Sequence, residues 1–156
     1  MRPIDQLLED YGSSHLNATN KFIHWFCIPA IMFSLIALLF SIPFFTERTL
    51  IFNWGFVFLI FAWLYYLRLS LVMFFGFLVV GGLLLWGSAE LYFALGADAG
   101  KLAIYALAVF VVAWIGQFIG HKIEGKKPSF LKDVQFLLIG PAWLMHFIFR
   151  KVGIKY

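Results

Sequence analysis
The chain has 156 residues, of which 63% are hydrophobic and 13% charged, with a formal net charge of +4. Soluble domains run at roughly 45–50% apolar and about 25% charged, so this composition excludes a water-soluble globule and implies an integral membrane protein. The single cysteine, Cys27, excludes an intrachain disulfide and any thiolate metal cluster within one chain.

The length suits one integral-membrane domain over residues 1–156. The first twenty or so residues are polar and contain no apolar core of a secretory leader, so the first apolar run is expected to act as an uncleaved insertion signal. Residues 3–11 (PIDQLLEDY) predict a short helix with Pro3 in its first turn. Ile4, Leu7 and Leu8 share one face, as in a helix lying along a membrane surface. GSSHLNATN then favours turns and caps over helix interior.

Four apolar runs follow, at about 22–45, 51–67, 71–95 and 102–120. Each is read as a crossing of about 30 Å of hydrocarbon at 1.5 Å per residue. Pro29 lies inside the first and predicts a kink near His24. A fifth apolar stretch, 134–149, is interrupted by Gly140-Pro141, which suits a re-entrant or shallow helical pair better than a span. The expected fold is therefore an all-α polytopic membrane helix bundle. It has four spanning helices, a C-terminal re-entrant or shallow helical pair, and a short N-terminal interfacial helix.

Lysine and arginine set the orientation. With the N-terminus in the cytoplasm, the inner segments carry Arg2, Lys21, Arg68, Lys122, Lys126, Lys127 and Lys132, and the outer links only Arg48 and Lys101. Both termini are then cytoplasmic, in a bacterial inner membrane or an ER-type membrane. The basic clusters follow this pattern, so they give no reason to expect a nucleic-acid partner.

The same topology gathers all four histidines, His15, His24, His121 and His146, at one membrane face. Imidazole is neutral enough to collect in a low-dielectric site and suits iron, zinc or copper. His15 and His24 would lie on opposite faces of one straight helix, so they converge only if the NATN segment turns the chain. Asn20 precedes His24 by one helical turn and can cap it. Trp114, Gln117, His121 and Glu124 share a stripe at 3–4 spacing, which lets Gln117 orient the His121 ring. Glu124 is open to three readings: a ligand, an acceptor behind a ligand, or a solvated partner of Lys122 or Lys127. Each histidine taken singly also has a structural reading, as an interfacial or core imidazole bonded to a carbonyl. No serine-nucleophile elbow and no phosphate loop are present.

Two blocks carry a family resemblance. The first is Tyr11…His15-Leu16-Asn17…Asn20…His24…Pro29. The second runs Trp114-Ile115-Gly116-Gln117-Phe118-Ile119-Gly120-His121, then Glu124 and Pro128. Together they resemble the fungal-type 2-hydroxy fatty acid dioxygenase family and its bacterial membrane relatives, over almost the whole chain. The resemblance implies Fe(II)-dependent α-oxidation, in which a 2-hydroxy fatty acid reacts with O₂ and loses one carbon. The expected metal ligands are then His15, His24, His121 and His146, with Glu124 and Gln117 as catalytic candidates and Asn20 behind the ligands. A hydroxy acid can chelate iron through its carboxylate and 2-hydroxyl and leave room for O₂. Its acyl chain would lie between apolar helices, reached from the cytoplasmic leaflet, with membrane lipid as the other partner. Lys122, Lys126 and Lys127 either attract the carboxylate or only set topology. Two rivals stand beside this reading. One is a zinc-dependent membrane lipid hydrolase with Glu124 as general base. The other is a non-enzymatic lipid-binding or scaffold protein.

Overall fold
The computed structural model describes residues 2–125 and 130–156, apart from the side chains of 130–135. The described residues form six helices and no strand: α1 (Pro3–Gly12), α2 (Ala18–Ser41), α3 (Trp54–Leu69), α4 (Leu71–Ala94), α5 (Ala99–Glu124) and α6 (Phe130–Lys151).

Local chemistry sets the ends of these helices. Pro3 opens α1, where its missing N–H costs nothing. Asn17 caps α2 by accepting the amides of Thr19 and Asn20, and Asn53 caps α3 by accepting that of Phe56. Ser70 closes α3 with its backbone amide and caps α4 with its hydroxyl, so the two helices meet at a single residue. Asp98 caps α5. Gly125 ends α5 in the left-handed region at φ 73°, a conformation glycine adopts without a Cβ clash.

Three helices, α2, α4 and α5, are long and apolar enough to cross a membrane. Their 24–26 residues extend about 36–39 Å at 1.5 Å per residue. The 16 residues of α3 reach about 24 Å. Many large apolar side chains face outward on these helices, among them Phe22, Phe61, Val79, Phe93 and Val112, as expected where lipid is the solvent.

The core divides between the two ends of the bundle. At one end Ile4, Leu8 and Tyr11 of α1 pack with Ile28, Tyr66, Met73, Phe77, Ile139 and Trp143. At the other, Ile36 and Phe40 of α2 pack with Leu59, Leu85, Ala89, Leu102 and Ala106. Thus α2 and α4 both begin at the first end and run to the second, while α3 and α5 run back. The apolar face of α1 is covered by protein, chiefly α6.

One expectation about the helices is corrected. The C-terminal stretch is one continuous helix, α6, with Pro141 inside it, and not a helical pair. Proline leaves the carbonyl one turn earlier without its helical partner. Beside that position, the buried Tyr66 hydroxyl donates to the Leu138 carbonyl, which anchors this turn of α6 to α3. Helix α5 runs through His121 to Glu124, as the stripe through Trp114, Gln117, His121 and Glu124 requires, and ends at Gly125.

Candidate metal centre
His15 lies on the link between α1 and α2, His24 on the second turn of α2, and His121 on the last turn of α5. One nitrogen from each lies within 4.8 Å of the others. The ring centroids are 4.3 Å apart for His15–His24, 5.0 Å for His24–His121 and 5.2 Å for His15–His121. His15 and His24 are buried and His121 is half-buried.

Backbone carbonyls orient two of the rings. His15 Nδ1 lies 2.7 Å from the Tyr11 carbonyl, and His24 Nδ1 lies 2.9 Å from that of Asn20. A carbonyl can only accept, so each ring carries its proton on Nδ1 and offers Nε2 as a lone pair. His24 Nε2 is buried without a hydrogen-bond partner. An unsatisfied buried acceptor costs stability unless something fills it, and a cation does so. Tyr11 stacks on His15 at 4.2 Å, and Trp143, itself 5.5 Å from Tyr11, lies tilted against His15 at 5.2 Å. Three imidazoles that converge in this way fit a divalent transition metal, and a set of three would leave coordination positions open.

The family description "Mpo1-like: 2-hydroxy-palmitic acid dioxygenase Mpo1-like" matches residues 1–152. The chain belongs to the Mpo1-like family. It is also similar to the protein named 2-hydroxy-palmitic acid dioxygenase MPO1 from Saccharomyces cerevisiae. The two are 28% identical over 145 residues, which cover 92% of this chain and 78% of the yeast protein. No solved structure matches.

In this Mpo1-like chain Glu124 is not one of the three converging residues. Its carboxylate accepts the Leu16 amide at 2.8 Å, the Asn17 amide at 3.0 Å and the Asn20 side-chain amide at 2.9 Å. It therefore ties the end of α5 to the link that carries His15 and to the start of α2. Asn20 is fully buried between His24 and Glu124, so the Asn20 carbonyl holds the His24 ring while its side chain holds the tie. Gln117 is buried one turn before His121. The chain turns between Ser13 and Asn17, before NATN, because Asn17 already caps α2.

The structure does not bring His146 to the other three histidines. Its Nδ1 is hydrogen-bonded to the Tyr156 hydroxyl. Burial, then the nearby Arg150 charge, lowers the His146 pKa below its ordinary value, while Asp5 acts the other way. Lys122 is exposed, and Lys126 and Lys127 lie outside the described residues.

Two glycines escaped the reading of the sequence. A Cβ on Gly116 would stand 2.6 Å from Cys27 Sγ. One on Gly120 would overlap Asn20 Oδ1 and stand 3.2 Å from His24 Cε1. The two are four residues apart on one face of α5, the small-xxx-small spacing that lets membrane helices approach closely. Their absent side chains allow α2 and α5 to come close enough for His24 to meet His121.

Proposed function
We propose that this chain is an iron-dependent dioxygenase that shortens 2-hydroxy fatty acids by one carbon. The observation that carries the reading is the cluster of the buried His15 and His24 with the half-buried His121, at one end of an apolar bundle in a chain of the Mpo1-like family. The name of the yeast relative supports the substrate class.

In this proposal the three histidines hold the ion and His146 serves the C-terminal tail. Bound ferrous iron would supply one-electron chemistry with O₂ and a seat for the carboxylate and 2-hydroxyl of the acid. The protein's part is orientation and exclusion of water. The Tyr11 and Asn20 carbonyls keep protons on Nδ1, and the Tyr11 and Trp143 rings shield His15. Glu124 acts by positioning. Three N–H groups already occupy its oxygens, which speaks against a general base in a zinc hydrolase.

We place four crossings, α2 to α5, in the membrane. Because α2 and α4 run in the same direction, α3 must return the chain between them despite its shorter reach. The site then lies at the headgroup level on the lysine-rich, cytoplasmic side, where the polar end of a fatty acid lies.

The test is anaerobic purification and metal analysis, followed by turnover of 2-hydroxypalmitic acid with O₂. One iron per chain and a product one carbon shorter are expected. Stoichiometric zinc with turnover independent of O₂ would overturn the proposal.

A further inference from the structure
An aromatic path leads from the metal centre to the outer surface of the bundle. Trp143 lies 5.2 Å from the His15 ring, and Phe147, one turn further along α6, lies 4.8 Å from Trp143. Trp25 of α2 lies 6.3 Å from Phe147. Burial falls along this path: Trp143 is 3% exposed, Phe147 37% and Trp25 39%. Phe22 and Phe26 of α2 and Ile148 of α6, next in sequence to these residues or one turn from them, are exposed as well.

The neighbouring seams offer no such path. Between α2 and α5, Gly116 and Gly120 lie against Cys27, Asn20 and His24 without room for a methyl group. Between α1 and α6, Ile4, Leu8 and Tyr11 are buried against Ile139, Ala142 and Trp143. On the α2–α6 seam, Lys21 precedes Trp25 by one turn on the same face and is half-buried, which puts a cation at the site end of an apolar stripe. A cation at one end and lipid-facing rings along the rest match a single-chain amphiphile with a carboxylate head.

We infer that Trp25 and Phe147 are specificity-determining residues that hold the acyl chain of the substrate along the α2–α6 seam, with Trp143 as the wall between that chain and His15. The inference rests on the proposed dioxygenase activity and adds the route and the measure of chain length. Aromatic surface lost from this seam lowers affinity in proportion to the methylenes it covered, so long chains suffer and short ones do not.

Two measurements test it on the full-length protein in detergent or bilayers. The first uses 2-hydroxy fatty acids of ten and sixteen carbons with the wild type, Phe147→Ala, Trp25→Ala and the milder Phe147→Leu. About a tenfold rise in KM for the longer acid, a much smaller rise for the shorter one and a wild-type metal content are expected in the alanine variants. The second photolabels the wild type with a sixteen-carbon 2-hydroxy acid bearing a mid-chain diazirine, and labelled peptides from α2 and α6 are expected. An active wild type labelled only on other helices, or variants with an unaltered chain-length profile, would overturn the inference. If variants lose metal, the labelling pattern decides. A wild type that shortens no 2-hydroxy acid refutes the proposed function itself, a separate outcome.

Discussion

Glu124 accepts the backbone amide of Leu16 at 2.8 Å, across 108 positions of sequence. That bond, with those from Asn17 and Asn20, fixes the link bearing His15 against the helix bearing His121. A carboxylate accepting three N–H bonds is a strong tie, because charged hydrogen bonds are about twice as strong as neutral ones. Glu124→Ala should therefore lower metal affinity by about 10- to 100-fold, the range typical of groups that orient ligands. Glu124→Gln should fall between, since its amide NH₂ would face donors. Competition with a chelator of known affinity measures this, and wild-type affinity in Glu124→Ala would remove the positioning role.

His121→Ala and His24→Ala should lose bound metal and acyl shortening together. His146→Ala should keep both metal and stoichiometry, because its Nδ1 serves Tyr156. Metal analysis of the three variants side by side separates a three-histidine site from a four-histidine one. Loss of metal in His146→Ala would restore the fourth ligand.

Gly116→Ala places a methyl group 2.6 Å from Cys27 Sγ. Overpacking of this kind costs about 1–3 kcal/mol. The double variant Gly116→Ala with Cys27→Ala removes the opposing sulfur and should recover most of that loss. Thermal unfolding in detergent across the double-mutant cycle reports the coupling, and additive effects would mean that the two residues do not meet. Gly120→Ala has no equally simple rescue, since it faces both Asn20 and His24.

The docking of the C-terminal tail should depend on pH through His146, which lies outside the long apolar spans. Burial comes first and the Arg150 charge second in lowering its pKa, so the folded form resists protonation. A lowered folded pKa gives stability that is fully present above the unfolded value of 6.5 and lost as pH falls through the folded value. Protease cleavage after Lys151 or Lys155 should therefore speed up below about pH 6.5. In His146→Gln the rate should show no such rise.

Much of the site is written locally. His24 and Asn20, one turn apart, and the stripe through Gln117, His121 and Glu124 follow from helical spacing, and the structure keeps both arrangements. His15 was harder to place, because its approach depends on a turn whose position no periodicity fixes. Proximity of Glu124 to Leu16 was not legible at all, since a tie between distant segments leaves no local pattern. The glycine spacing at Gly116 and Gly120 was legible in principle but was read only as part of a motif. Gly140-Pro141 misled because a proline breaks a helix only where nothing else holds it. Here Tyr66 bonds to the Leu138 carbonyl beside the proline turn, and Gly140 packs closely on Tyr11 and Ile28.

The order in which the three histidines occur along the chain has a consequence for biogenesis. His15 leaves the ribosome first and His121 only when α5 is nearly complete, so the centre cannot assemble while the earlier helices are being inserted. A nascent chain halted before α5 presents two imidazoles and no third. If the proposed centre holds its metal through these three residues, loading would be a late, post-insertion event that waits for α5 to reach the end of the bundle where α2 begins.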